Sequence, residues 1–149
     1  MTTIAKKHII ATPPHILVVD DDPLNRRVLS VMLGKLGFAT DLAENAEQAL
    51  HLLRQHHYSL VFMDIQMPDM DGCTATRLLR DPASGVKNHD LPVIALTALS
   101  VQGSKNDCLD ARMNDFLLKP ITSRQLADTL KTWLQDHQPH TVEAEVPLP

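Results

Sequence analysis

Apolar and polar residues follow one another in blocks whose lengths suit a succession of strands and helices. Short segments rich in aliphatic residues are predicted as strands, and they lie at 16–19, 38–43, 59–63, 92–96 and 115–118. Between them, apolar residues recur at the three-to-four-residue spacing of helices with one buried face. These helices are predicted to begin near Pro23, Ala46, Cys73, Gln102 and Ser123.

Strict alternation of strands and helices predicts a parallel sheet that is covered by helices on both faces and wound through right-handed crossovers. We therefore expect one doubly wound α/β domain over residues 15–135. Residues 1–14 are mostly polar and contain Pro13-Pro14, and residues 136–149 contain Pro and Glu but no Lys or Arg. These two segments are predicted to be a flexible leader and a flexible tail.

Composition narrows the class of protein. The chain has 149 residues, of which 44% are apolar and 21% charged, as expected for one globular domain. A net charge of −4 argues against a nucleic-acid surface. No apolar run is long enough for a membrane span or a secretory signal, so a cytoplasmic protein is predicted. Two cysteines are too few for a disulfide framework or a zinc site.

Candidate chemistry is concentrated where the predicted strands end. Asp20 and Asp21 follow the first strand, Asp64 the third, Thr97 the fourth and Lys119 the fifth. In open α/β sheets, ligands bind outside the carboxyl ends of the strands. If these four strands are neighbours, the five side chains converge at one edge of the sheet.

Such a cluster predicts phosphoryl chemistry. Close carboxylates repel one another unless a cation intervenes, and Mg²⁺ is the hard divalent ion that best suits a few carboxylates and water. Asp64 could then attack an electrophilic phosphorus, while Lys119 and the Thr97 hydroxyl contact the phosphoryl oxygens.

Two other functions remain open at this point. A Mg²⁺-dependent phosphatase with an aspartyl nucleophile would also use strand-end aspartates, but it would want a carboxylate two residues after Asp64, where the chain has Gln66. A binding module that is not phosphorylated would not require the full set of polar residues. The chain lacks a Gly-rich phosphate loop and a Gly-x-Ser-x-Gly elbow.

Four segments together resemble the response regulator receiver domain of two-component signalling, particularly the receivers of hybrid sensor kinases. The similarity extends over about His15 to Leu134, and the motifs occur in the family's order: Ile16–Asp22, Met63–Gly72, Ala95–Ala98 and Leu118–Pro120. The resemblance implies a flavodoxin-like fold with strand order 2-1-3-4-5. It also implies that Asp64 receives a phosphoryl group from a phosphohistidine on a sensor histidine kinase or a histidine phosphotransfer protein.

The resemblance further implies a magnesium site. Asp21 and Asp64 would bind Mg²⁺ directly, Asp20 mostly through water, and the backbone carbonyl of Gln66 would be another ligand. A receiver promotes its own phosphorylation and dephosphorylation and is not a turnover enzyme on an external substrate. The resemblance implies neither nucleic-acid binding nor membrane insertion, and it sets no oligomeric state.

It implies a conformational switch as well. Thr97 and Lys119 would hold the phosphoryl group, and Phe116 stands where the family has its switch aromatic residue. Lys119-Pro120 would be a cis peptide, which proline permits at low energetic cost. Arg112 departs from the glycine that is frequent before methionine in hybrid-kinase receivers, so we expect either strain in this turn or a different length of the preceding helix.

Overall fold

The computed structural model describes residues 6–11, 14–98, 108–134 and 141–146, with side chains within 14–98 and 108–134. Its strands are β1 (Lys6–Ala11), β2 (His15–Val19), β3 (Ala39–Ala43), β4 (Leu60–Asp64), β5 (Val93–Thr97), β6 (Asp115–Leu118) and β7 (Thr141–Val146). Its helices are α1 (Pro23–Lys35), α2 (Ala46–Gln55), α3 (Gly72–Arg80) and α4 (Ser123–Leu134), besides a 3-10 turn at Pro82–Ser84 and helical residues 108–110.

The main sheet has five parallel strands in the order β3-β2-β4-β5-β6. Counted from β2 as the first strand, this order is 2-1-3-4-5, and the predicted flavodoxin-like fold is confirmed. The chain reverses its winding direction next to β2, and at such a switch point the loops after neighbouring strands diverge and leave a crevice.

Successive residues of each strand face opposite layers of the molecule. Ile16 and Val18 of β2 pack in a core with apolar residues of α1 and α4, whereas Leu17 and Val19 pack in a second core with residues of α2 and α3. All residues of β4 and β5 are buried. Burial on both faces explains why these strands read as continuous apolar runs.

Side-chain caps fix where the helices begin, and thereby where the loops at the site end. Asp22 accepts a hydrogen bond from the Leu24 N–H at the start of α1, and Asp71 accepts one from Thr74 at the start of α3. Thr122 caps α4 by accepting from the Gln125 N–H. Because Asp22 ends the acidic triplet, the same short sequence both terminates β2 and begins α1.

One part of the prediction differs from the structure, and another lies mostly outside the described residues. The predicted leader and tail contain β1 and β7, which pair antiparallel as a separate two-stranded sheet. Sequence reasoning missed this pairing because it joins opposite ends of the chain. The helix predicted at Gln102–Ala111 lies mostly outside the described residues; within its described part, 108–111, residues 108–110 are helical. Within the described residues, no helix combines the length and the apolar character that a membrane crossing requires.

Candidate functional site

The carboxyl edge of the main sheet gathers the polar residues that were predicted at the strand ends. In the strand register, Val19 is level with Met63, so Asp20 follows β2 at the level where Asp64 ends β4. Thr97 ends β5 opposite Leu118 of β6, and Lys119 comes next. The Lys119 N–H donates a 2.8 Å hydrogen bond to the Thr97 carbonyl, which continues the ladder past the end of β6.

Three carboxylates form the centre of the site. One oxygen from each of Asp20, Asp21 and Asp64 lies within 4.8 Å of the corresponding oxygens of the other two. Asp20 is fully buried and Asp64 is 4% exposed, while Asp21 lies at the exposed mouth of the cluster. The site is therefore buried at its base and open to solvent on the side of Asp21.

Lys119 is the cation at the base of the cluster. Its Nζ lies 3.0 Å from Asp20 Oδ2 and 3.5 Å from Asp64 Oδ2. Burial by itself lowers the pKa of Lys119, but contact with the two carboxylates outweighs burial and raises it. Lys119 therefore stays charged at neutral pH and bridges Asp20 and Asp64.

The cluster favours the charged form of Lys119 but the uncharged form of Asp64. Burial, the Asp20 charge and a hydrogen bond with Asp21 raise the pKa of Asp64 from 3.8 to about 7. The Lys119 ammonium and the Gln66 N–H, which donates to Asp64 Oδ1 at 3.1 Å, oppose this rise without cancelling it. A single ammonium thus does not neutralise three clustered carboxyl groups.

These residues fit a divalent cation. Asp20 Oδ1 accepts a hydrogen bond from the Asp22 N–H at 2.9 Å. Its other oxygen, Oδ2, is buried and faces Lys119 as an ion pair without hydrogen-bond geometry. Three carboxylates against one ammonium leave an excess of negative charge, and carboxylate oxygens are the ligands of hard divalent ions. A metal ion held by Asp20, Asp21 and Asp64 would offset this excess negative charge.

The remaining predicted residues lie around this cluster. Gln66 is exposed and contributes the N–H bonded to Asp64, while its carbonyl as a metal ligand stays a prediction. Thr97 is buried at the end of β5. Phe116 is partly buried, pairs with Ala95 in register and packs against the core shared with α2 and α3. The Lys119-Pro120 peptide is cis, as expected.

Arg112 adopts a left-handed backbone conformation with φ of 65°. Glycine, the residue that the resemblance led us to expect here, favours this conformation, whereas an L side chain adopts it only at an energetic cost. The expected strain in the turn before β6 is therefore present. The turn is held by buried Arg80 of α3, whose Nε and Nη2 donate to the Arg112 carbonyl at 3.2 and 3.1 Å.

Sequence reasoning missed two residues that support the site. Arg26 of α1 donates from Nη1 to the backbone carbonyl of Asp20 at 2.7 Å. Gly72, the first residue of α3, lies so close to the Asp64 carbonyl that a side chain would overlap it. The helical position of Arg26 and the glycine after Asp71 were visible, but contacts with distant main-chain atoms leave no pattern in the sequence.

Comparison with known proteins places these observations in one family. Residues 16–131 match the family model described as the response regulator receiver domain. The chain is 37% identical over 120 residues to the sensor protein GacS of Pseudomonas syringae pv. syringae, and 38% identical over 120 residues to the sensor histidine kinase RcsC of Escherichia coli K12. Each alignment covers 80% of this chain but only 13% and 12% of the relative, so the chain spans about one eighth of their length.

Solved structures show the same likeness. The receiver domain of the sensor histidine kinase PA1611 from Pseudomonas aeruginosa PAO1, solved with a magnesium ion coordinated in the active site cleft, has a TM-score of 0.75 and 36% identity. That match covers 83% of this chain and 99% of the other. The receiver domain of Ssk1 from Saccharomyces cerevisiae, co-crystallised with the histidine phosphotransfer protein Ypd1, is similar with a TM-score of 0.74 and 27% identity over 85% of this chain and 93% of the matched chain.

Proposed function

Since the chain belongs to the response regulator receiver domain family, we propose that it takes a phosphoryl group from a phosphohistidine onto Asp64 with the help of Mg²⁺. The donor would be a sensor histidine kinase or a histidine phosphotransfer protein. The observation that carries the proposal is the position of Lys119 Nζ, 3.5 Å from Asp64 Oδ2 at the base of a three-carboxylate cluster.

The metal site would comprise Asp21 and Asp64 as direct ligands, Asp20 mostly through water, and the Gln66 carbonyl. When bound, Mg²⁺ would supply positive charge for the phosphoryl oxygens and for the clustered carboxylates. The excess negative charge of three clustered carboxylates beside one ammonium supports this assignment.

Transfer begins with the Asp64 carboxylate, which must be ionised to act as a nucleophile. One of its oxygens attacks the phosphorus of the donor, an O–P bond forms and the N–P bond of the phosphohistidine breaks. The electron pair of that bond stays on the imidazole nitrogen, so the donor leaves as an ordinary histidine. The phosphorus becomes part of an acyl phosphate on Asp64.

Lys119 and Thr97 would hold the transferred group. The Lys119 ammonium is already near Asp64, and it can donate to a phosphoryl oxygen as charge redistributes in the transition state. The buried Thr97 hydroxyl, on the neighbouring strand end, would donate a second hydrogen bond. Neither residue exchanges a proton with the donor in this scheme.

The same contacts would operate the switch. Phosphorylation adds charge and acceptor oxygens at Asp64, toward which Thr97 and Lys119 would move. The space vacated near Thr97 would then be filled by Phe116. Phe116 lies on the neighbouring strand β6, two residues before the one that pairs with Thr97, and is only partly buried. The surface formed by the helix predicted at Gln102–Ala111, by β6 and by α4 would change for a partner.

In this role the protein would be a signalling acceptor that promotes its own phosphorylation and dephosphorylation. It would not be a turnover enzyme on an external substrate. A phosphatase would need an acid/base carboxylate two residues after Asp64, and the exposed Gln66 cannot serve. The proposal includes the cytoplasmic location predicted from the sequence, where the phosphohistidine donor would be encountered.

The test is phosphorylation by a small donor. Wild type, Asp64→Asn and Asp69→Asn are incubated with phosphoramidate, with Mg²⁺ or with EDTA, and their intact masses are measured. Asp69 lies in the loop that follows Asp64 and is exposed. Its φ of 70° is a conformation that Asn tolerates, so Asp69→Asn is a matched control. Wild type and Asp69→Asn should gain one phosphate only with Mg²⁺. Labelling of Asp64→Asn at the wild-type level would contradict the assignment of Asp64 as the acceptor. Steady release of phosphate without labelled protein would indicate a phosphatase. The absence of labelling in all three proteins would indicate a binding module.

A further inference from the structure

Arg26 lies on the first turns of α1, and its guanidinium turns back toward the end of β2. Its side chain is 16% exposed, with Nη1 at 2.7 Å from the Asp20 carbonyl and Nη2 at 3.8 Å from Glu44 Oε2. We propose that Arg26 is a positioning residue that orients Asp20 and Asp21 for the metal ion. This inference rests on the proposed function for the identity of the ion as Mg²⁺.

The main chain of Asp20 is held on both sides. Its N–H donates to the Ala43 carbonyl at 3.1 Å, and its own carbonyl accepts the short bond from Arg26. The Asp20 carbonyl and the Asp21 N–H belong to one planar peptide group. Fixing that carbonyl therefore fixes the direction in which the backbone, and with it the side chain of Asp21, leaves the strand end.

The carboxylate of Asp20 depends on the same turn. Its Oδ1 accepts a hydrogen bond from the Asp22 N–H, two residues further along the turn that Arg26 spans. The main chain of Arg26 is also bonded to this turn: the Arg26 N–H donates a helical hydrogen bond to the Asp22 carbonyl at 3.1 Å. Arg26 thus closes a ring that contains the peptide and side chain of Asp20 and the first residues of α1.

Glu44 restrains the guanidinium from the other side. Glu44 exchanges two hydrogen bonds with Gln48, from the Glu44 N–H to Gln48 Oε1 at 3.0 Å and from Gln48 Nε2 to Glu44 Oε1 at 3.2 Å. Its second oxygen, Oε2, remains directed to Arg26. At 3.8 Å and with Glu44 exposed, this ion pair is weak, so the bond to the Asp20 carbonyl carries the positioning effect.

Charge and positioning predict opposite signs for the loss of Arg26. A cation beside the site repels Mg²⁺, so removing its charge alone would tighten metal binding. Removing a residue that orients metal ligands weakens binding instead, by about 10-fold to 100-fold in characterised sites. The sign of the change in Mg²⁺ affinity therefore separates positioning from simple electrostatics.

The experiment compares Mg²⁺ dissociation constants, measured by titration calorimetry, for wild type, Arg26→Met and Arg27→Met. Arg27 is the adjacent, exposed arginine of the same helix and is the matched control for lost charge. We expect at least about 10-fold weaker binding for Arg26→Met and equal or slightly tighter binding for Arg27→Met. Equal or tighter binding by Arg26→Met overturns the proposal, as does an equal loss in both variants.

Hydrogen exchange in metal-free protein supplies a second readout. The Asp22 N–H should exchange faster in Arg26→Met than in Arg27→Met, because the turn loses its tether. If Arg26→Met does not fold, Arg26→Lys replaces it. This variant should bind Mg²⁺ at least about threefold more weakly than wild type, since one ammonium cannot reproduce the guanidinium fork. Wild-type affinity in Arg26→Lys would then overturn the proposal. Neither readout uses phosphorylation, so failure of Asp64 to accept phosphate would refute the proposed function while leaving this result standing.

Discussion

Gly72 at the start of α3 lies directly against the main chain of Asp64 at the end of β4. Its N–H donates to the Ile65 carbonyl at 2.9 Å, and a β-carbon on Gly72 would overlap the Asp64 carbonyl oxygen and come within 2.9 Å of Met63 Cγ. The absence of a side chain therefore sets how closely α3 approaches the strand that presents Asp64.

Gly72→Ala should lower the free energy of unfolding by about 1–3 kcal/mol, because the added methyl group must push main-chain atoms apart. It should also slow phosphorylation by displacing Asp64. The matched control is Gly34→Ala in α1, where a β-carbon meets nothing within 4 Å and where alanine should raise stability by up to about 1 kcal/mol. Urea denaturation of both variants measures the difference, and effects of the same sign would refute this description of Gly72.

The raised pKa of Asp64 makes stability depend on pH. Because the pKa is about 7 in the folded protein and near 3.8 ordinarily, the folded state binds the proton more tightly than the unfolded state. The contribution of Asp64 to the free energy of unfolding of metal-free wild type should therefore fall as the pH rises from about 4 to about 7, and the full penalty should be present above that range. Asp64→Asn carries no such charge and should escape this loss.

We expect Asp64→Asn to be more stable than wild type above about pH 7 in EDTA, by at most about 4 kcal/mol, since each pKa unit corresponds to about 1.4 kcal/mol. The gain should shrink toward about pH 4, where both proteins hold an uncharged side chain. Saturating Mg²⁺ should reduce the gain as well, because wild type binds the ion more tightly. A variant that is less stable than wild type in EDTA at neutral pH would contradict the electrostatics of the cluster.

The left-handed conformation of Arg112 gives a prediction about backbone strain. Arg112→Gly should raise the free energy of unfolding by about 0.5–1 kcal/mol relative to Arg112→Ala, because only glycine relieves the strain from the β-carbon. Both variants keep the carbonyl that accepts from Arg80, and both remove a positive charge that lowers the pKa of Arg80. Equal stability of the two variants in thermal unfolding would show that the turn is not strained.

The fold was predictable because most strands of the main sheet are short, mainly apolar segments and four of the five strands end at a polar residue of the site. Asp64 and Lys119 could be assigned to one edge once the strand order was inferred, although their separation in sequence says nothing of their 3.5 Å contact. The apolar segments and the polar residues at their ends therefore predict, from the sequence alone, which side chains form the site.

Contacts of side chains with main-chain carbonyls could not be predicted in this way. Arg26 bonds the Asp20 carbonyl, and Arg80 donates five hydrogen bonds to three carbonyls and to Asn114 Oδ1 from a side chain that is 6% exposed. Every residue has a carbonyl, so the sequence carries no mark of which one accepts. The pairing of β1 with β7 was missed for the related reason that backbone hydrogen bonds between distant segments are not specified by local pattern.

Chemical mapping of the phosphorylated residue shows whether Asp64 is the phosphoryl acceptor. Wild type is phosphorylated with phosphoramidate and Mg²⁺, treated with borohydride to reduce the acyl phosphate to homoserine, digested and sequenced by mass spectrometry. We expect homoserine at position 64 and unmodified aspartate at positions 20 and 21. Homoserine at Asp20 or Asp21 with aspartate retained at position 64 would contradict this prediction.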